Sequence, residues 1–123
     1  MSRRIAREVA MKLVFSQLLG GEDTYRAVLD KSGIPEEPAQ EDIDFSETVV
    51  AGIQGHIEEI DAIIENLAIG WSLDRMPRVD LCIMRVAVFE MLYLSDMPCG
   101  VSINEAVELA KVFAGERSPA YIN

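Results

Sequence analysis

The sequence predicts an all-α protein that forms one domain over residues 1–123. Apolar side chains recur every three or four residues in several segments, and glycine or proline separates those segments. No segment shows strand-like alternation flanked by hairpin turns. With 123 residues, half of them hydrophobic, the chain has enough material for one core and too little for two. We therefore expect a single helical bundle.

The first two helices follow from helical spacing and from glycine stops. Residues 3–19 carry apolar side chains on one face, and Gly20-Gly21 ends the pattern. A short helix is expected over residues 22–32, because apolar positions continue there until Gly33. The proline-containing segment that follows predicts a loop.

Residues 41–69 predict one long helix, since their apolar positions recur at threes and fours. Gly52 and Gly55 weaken this helix because glycine has a low helix propensity. A connector follows, and Pro77 then stands where the first turn of a helix tolerates a missing N–H.

The segment from Pro77 to Ser95 is apolar on nearly every side and should be the buried central helix. Asp80, Arg85 and Glu90 nevertheless lie within it. Because a buried charge is costly without a partner, we expect at least one of the three to be paired.

The last predicted helix opens with a capping box, in which Ser102 stands three residues before Glu105, and it closes at Gly115. Ser118 with Pro119 suits the start of a further helix, but the sequence stops at Asn123.

The formal net charge of −10 conceals a strong polarity along the chain. Residues 1–21 hold four basic residues and one acid, whereas residues 22–65 hold thirteen acids and two bases. A basic end suits an anionic partner and an acidic flank suits a basic protein, although solvated helix faces explain the same pattern.

Several classes of protein are excluded by composition. Charged residues interrupt the most apolar segment, so no membrane span is expected, and no secretory signal is evident at the N-terminus. Cys82 and Cys99 lack CxxC spacing and His56 is the single histidine, so neither a disulfide scaffold nor a metal site is predicted. We expect a cytoplasmic protein that needs no cofactor.

Catalysis is not predicted either. A serine or cysteine nucleophile needs an activating base, and His56 has no recognisable partner spacing. The sequence also contains no glycine-rich phosphate loop. We therefore expect a binding protein and not an enzyme.

One helix face combines positive charge with an aromatic ring. At 100° per residue, the face that spans about 120° of the first helix holds Arg3, Arg4, Arg7 and Phe15. Phe113 and Tyr121 add stacking surface if the two ends of the chain meet. Cations for phosphates and flat rings for splayed bases are what single-stranded RNA binding requires.

Three sequence blocks resemble the NusB family of bacterial transcription antitermination factors. They are RRIAREVA at residues 3–10, DLCIMRVAVFE at 80–90 and PCGVSINEAVELAKVF at 98–113, and they occur in family order across nearly the whole chain. The resemblance implies a bundle of about six to seven helices. It also implies binding to the boxA element of nascent RNA, chiefly in ribosomal RNA operon leaders. The implied protein partner is NusE, a small-subunit ribosomal protein, within an antitermination complex on RNA polymerase.

The resemblance also assigns expected site residues by position. The RNA-binding residues that it implies are Arg3, Arg4, Arg7, Lys12, Phe113 and Tyr121. Those that it implies for the NusE contact or its support are Phe15, Asp80 and Arg85.

The chain departs from the family pattern in three places. Phe15 stands where the family often has tyrosine, and Lys12 stands where it often has glutamine. The family usually continues beyond the position of Asn123 with a final helix, and we therefore expect that helix to be missing here, either because the sequence is truncated or because the helix is lost.

Two alternative functions remain open from the residues. One is the RNA-binding domain of a ribosomal RNA cytosine methyltransferase, which carries a similar helical module beside its catalytic domain. The other is a helical module that binds only protein, including a homodimer, whose arginines are merely solvated. The second alternative predicts no dependence on RNA sequence.

Overall fold

The computed structural model describes residues 3–21, 24, 27–28, 30, 39–67, 76–94 and 99–113. Over these ranges the longer helices are α1 (Arg3–Leu18), α2 (Gln40–Gly55), α3 (Ile57–Leu67), α4 (Arg78–Tyr93) and α5 (Cys99–Phe113). The described ranges contain no strand, and the all-α prediction is confirmed. None of their helices has the length and apolar character that a membrane crossing requires.

Helix α1 ends as the glycine pair predicts. Gly20 adopts a positive φ of 85°, a left-handed conformation that glycine enters without steric cost. The Gly21 N–H donates to the Ser16 carbonyl at 2.8 Å and the Gly20 N–H donates to the Gln17 carbonyl at 3.0 Å. These two bonds form a Schellman motif, which satisfies carbonyls that the helix end leaves open.

The predicted second helix is described only in part. The Thr24 hydroxyl accepts a hydrogen bond from the Ala27 N–H at 3.2 Å, as an N-cap side chain does. Residues 27, 28 and 30 are helical, and Val28 is buried in the core. The remainder of residues 22–32 lies outside the described residues.

The prediction of one long helix over residues 41–69 is wrong, because the chain forms α2 and α3 with a break at His56. His56 has a φ of −127° and a ψ of 23°, and its N–H donates to the carbonyls of Gly52 and Ile53. Gly55 directly precedes the break, and its low helix propensity reduces the free-energy cost of ending the helix there. Gly52 serves a different purpose, because a Cβ at this position would overlap the ring of Phe89 on α4.

Helix α4 is the centre of the bundle, as its composition predicts. It contacts α1, α2, α3 and α5, and ten of its sixteen residues are buried. The fully buried side chains of the core also come from its neighbours, including Val9 on α1, Ile53 on α2 and Ile64 on α3. Burial on all sides explains why this segment lacks a polar face.

The predicted capping box at Ser102 is wrong, because α5 begins three residues earlier, at Cys99. Ser102 therefore lies inside the helix, where it is 1% exposed. Glu105 does not fold back onto the helix start but reaches across to α1. Gly115 and the proposed helix start at Ser118 lie outside the described residues.

Candidate nucleic-acid interface

Side chains of α1 and α5 meet at two places along one edge of the bundle. Arg4 on α1 contacts Glu105 on α5, and Lys12 on α1 contacts Phe113 on α5. Arg4 and Lys12 are eight residues apart on α1, and Glu105 and Phe113 are eight residues apart on α5. Because eight residues span about 12 Å of helix in both cases, α1 and α5 run in the same direction. We call these four residues, together with Glu8, the α1–α5 surface.

Arg4 and Glu105 form a two-point ion pair at the first meeting place. The Arg4 Nε donates to Glu105 Oε2 at 2.8 Å, and Nη2 donates to Oε1 at 3.1 Å. The Arg4 side chain is 61% exposed, whereas that of Glu105 is 16% exposed. The hydrogen bond from Arg4 lowers the pKa of Glu105, and the same bond raises the pKa of Arg4. The two shifts agree, as expected when each charge stabilises the other.

Lys12 joins a carboxylate and an aromatic ring at the second meeting place. Its Nζ lies 2.9 Å from Glu8 Oε2 one helical turn earlier and 4.8 Å from the centre of the Phe113 ring. A cation at this distance over a ring face makes a cation–π interaction. Lys12 and Phe113 therefore place a positive charge beside a flat apolar ring.

Arg7 does not lie on an exposed face, and the expectation that it does is wrong. Its side chain is 4% exposed, and its Nε donates to Glu90 Oε1 at 2.8 Å. Its guanidinium also lies 5.7 Å from the centre of the Phe45 ring. Arg7 thereby joins α1, α2 and α4 inside the bundle, because a buried charge requires a close partner of opposite sign.

The residues expected at the NusE contact are mostly buried. Asp80 is 2% exposed and Arg85 is 9% exposed, while Phe15 is half-buried against the core. Arg85 donates from Nε and Nη2 to both carboxylate oxygens of Asp61 on α3, each at 2.9 Å. Arg85 and Glu90 thus both form ion pairs, which confirms the prediction that at least one charged residue of the central helix is paired.

The structure therefore brings together Arg4, Lys12 and Phe113 among the predicted RNA-binding residues, and it separates Arg7 from them. Arg3 belongs to α1, but its side chain lies outside the described part of the structure. Tyr121 lies outside it entirely.

Sequence reasoning did not identify Asp61, Glu90 and Glu105 as the acidic partners of Arg85, Arg7 and Arg4. A signal for one of them was present, because Arg7 precedes Ala10 by three residues and Val14 by seven, both of which are buried. That spacing places Arg7 on the apolar face of α1, where a buried acid must meet it. The partners of Arg4 and Arg85 come from other helices, and no spacing rule within one helix identifies them.

A second polar cluster lies at the junction of α2 and α3. The His56 ring stacks on Tyr93 with centroids 4.4 Å apart, and the Tyr93 hydroxyl donates to Glu59 Oε2 at 2.7 Å. The Glu59 hydrogen bond raises the pKa of Tyr93. Neither this junction nor any other described segment gathers three or more side chains suited to hold a metal ion.

Fold and surface together define a class: a small helical-bundle protein with a mixed cationic and aromatic edge. The sequence model of the NusB family matches residues 4–123. The chain belongs to the NusB family.

Relatives and solved structures agree with this assignment. The chain is 37% identical to the transcription antitermination protein NusB of Clostridium botulinum (strain Loch Maree / Type A3), across all of this chain and 95% of that protein. It is 42% identical to NusB of Natranaerobius thermophilus, across all of this chain and 90% of that protein. T. maritima NusB is similar in structure, with a TM-score of 0.83, 28% identity and coverage of 99% of this chain and 85% of that one. A crystal structure of antitermination factors NusB and NusE in complex with dsRNA is also similar, with a TM-score of 0.79, 27% identity and coverage of 99% and 92%.

Proposed function

We propose that this chain is a transcription antitermination factor that binds boxA RNA of ribosomal RNA operon leaders together with NusE. It acts as one RNA- and protein-binding domain in the cytoplasm, within an antitermination complex on RNA polymerase, and it works by assembly and not by catalysis. The observation that carries this proposal is the α1–α5 surface, where Arg4, Lys12 and Phe113 lie on one edge of a NusB-family fold.

The chemistry of this edge matches single-stranded RNA. Arg4 and Lys12 supply cations for phosphates, and Phe113 supplies a ring on which a base stacks. The similarity to the complex of NusB and NusE with dsRNA supports RNA and NusE as the partners. Arg7 contributes indirectly, because its buried pair with Glu90 holds α1 against α4.

The proposed NusE contact differs in character from the RNA contact. Asp80 and Arg85 are too deeply buried to meet a partner directly, so their proposed role is to support the surface above them. The Arg85–Asp61 pair provides such support by joining α4 to α3. Exposed acids on α2 and α3, such as Glu47 and Glu58, suit the basic surface of a ribosomal protein.

Fluorescence anisotropy of labelled boxA RNA against a scrambled RNA, with and without NusE and at two salt concentrations, tests the proposal. We expect preference for boxA, tighter binding with NusE and weaker binding at high salt. Equal binding to both RNAs, or no binding even with NusE, contradicts the proposal. The latter outcome favours a module that binds only protein.

Two matched pairs of variants test the surface itself. Phe113→Ala should cost about 1–3 kcal/mol of binding free energy, because it removes a stacking platform. The control is Val112→Ala, which alters a neighbouring side chain that is 71% exposed. Lys12→Gln should weaken binding and reduce its salt dependence, whereas Lys111→Gln should not, since an ideal helix places Lys111 about 160° from Phe113.

A further inference from the structure

The basic residues of α1 whose side chains are described each meet a carboxylate within the same chain. Arg7 meets Glu90 in the core, Lys12 meets Glu8 one turn away, and Arg4 meets Glu105 on α5. The positive charge of these three described side chains is therefore largely neutralised in the free protein. An approaching polyanion meets paired cations on this helix.

The Arg4–Glu105 pair differs from the other two in geometry and exposure. It is the pair in which one carboxylate accepts from two guanidinium nitrogens while the arginine remains 61% exposed. The planar fork of arginine binds a carboxylate and a phosphate in the same two-point manner. Glu105 consequently occupies the same donors, Nε and Nη2, that a phosphate would use.

Glu105 is also poorly placed to move away. Its side chain is 16% exposed, whereas the Arg4 side chain is 61% exposed and extends into solvent. The Nη1 edge of Arg4 remains open, but the adjacent carboxylate weakens the positive potential there. Removal of the carboxylate would both open the fork and restore the charge.

We propose that Glu105 is an internal competitor of RNA: its carboxylate occupies the phosphate-binding fork of Arg4, and Arg4 must leave this carboxylate before the fork can bind RNA. Glu105 is a positioning residue in this scheme, because it acts through Arg4 and does not contact RNA. The competition lowers affinity for every RNA alike and keeps binding to unspecific RNA weak. This inference rests on the proposed RNA-binding function.

The test compares Glu105→Gln with Glu108→Gln in the full chain. Glu108 lies one turn further along α5 and pairs with Lys111, so its removal changes the net charge equally without opening Arg4. We expect Glu105→Gln to bind both boxA RNA and scrambled RNA about fivefold more tightly at low salt, because one exposed two-point pair no longer competes. Glu108→Gln should gain no more than about twofold, because its longer-range effect is screened.

RNA affinity is also measured in an Arg4→Gln background, where a role that acts through Arg4 can be told apart from a purely structural role of Glu105. There, Glu105→Gln and Glu108→Gln should change RNA affinity equally, since no fork remains to be opened. Glu105→Gln should also steepen the salt dependence of RNA binding in the Arg4 protein, because one more phosphate contact forms. Circular dichroism and thermal melting of each variant establish that the fold is unchanged.

The outcomes separate this inference from the proposed function. Equal gains from Glu105→Gln and Glu108→Gln in the Arg4 protein overturn the competitor role, and so does a fivefold gain that persists after Arg4→Gln. If scrambled and boxA RNA bind equally but Glu105→Gln still exceeds Glu108→Gln, the competitor role holds and boxA recognition fails. If neither the wild type nor Glu105→Gln binds either RNA at low salt, both proposals fail.

Discussion

Replacement of Arg7 by alanine should destabilise the fold by about 3–5 kcal/mol, because it removes one partner of a buried ion pair. The side chains of Arg7 and Glu90 are 4% and 1% exposed and are joined at 2.8 Å. Without the guanidinium, the Glu90 carboxylate stays buried but loses this ion-pair partner, and the Phe45 ring loses the cation beside it. For a chain of 123 residues, this loss lowers the melting temperature by about 10–20 °C.

The assay is urea and thermal unfolding of the wild type and variants, followed by far-UV circular dichroism. Arg4→Ala is the matched control, because it removes the same side chain from the same helix and breaks an exposed pair. It should cost much less stability than Arg7→Ala, because solvent and salt screen an exposed ion pair. The contrast between Arg4 and Arg7 isolates the effect of burial.

A double variant, Arg7→Met with Glu90→Leu, separates loss of the pair from loss of packing. Apolar residues of similar volume often replace a buried ion pair at little cost, so the double variant should lose less stability than Arg7→Ala alone. If Arg7→Ala is no more destabilising than Arg4→Ala, Arg7 does not anchor α1. That result would restore Arg7 as a candidate for direct RNA contact.

Three further predictions concern the core and the α2–α3 junction. Gly52→Ala should lower the free energy of unfolding by about 1–3 kcal/mol, because the added Cβ overlaps an aromatic ring of α4. Gly55→Ala should raise it by up to about 1 kcal/mol, because open space surrounds Gly55 and alanine has the higher helix propensity. Urea unfolding measures both changes. Burial raises the pKa of the Cys82 thiol to about 11. At pH 8 only about one Cys82 side chain in a thousand is therefore a thiolate, so labelling of Cys82 by maleimide should require denaturant. Peptide mapping locates the label, and rapid labelling of Cys82 in the native protein contradicts the prediction. The hydrogen bond to Glu59 raises the pKa of Tyr93, so Glu59→Gln should lower that pKa toward its ordinary value in an NMR titration, and an unchanged pKa contradicts this assignment.

Helix positions were predictable wherever the signal is local. The glycine pair after residue 19 predicts the end of α1, and the structure shows Gly20 with a positive φ in the resulting motif. The unbroken apolar character of residues 77–95 predicts the central helix, since a helix without a polar face has to be buried.

The two errors in helix boundaries share one physical cause. Sequence rules predict a helix end from the residues next to it, but tertiary packing decides which of several possible ends the helix adopts. At His56 the chain turns so that α2 and α3 both pack on α4. At Ser102 the helix extends back to Cys99, and Glu105 forms an ion pair with Arg4 instead of a capping box.

Family, fold class and the identity of the charged residues were determined by the sequence alone, because they depend on residue order, apolar spacing and motifs. Which arginine of α1 faces solvent was decided only by the tertiary structure. Arg4 and Arg7 lie three residues apart and look equivalent in the sequence, yet one is 61% exposed and the other 4%. The difference arises because burial and ion pairing depend on which helices pack beside α1, and residues about 80 to 100 positions away supply both acidic partners.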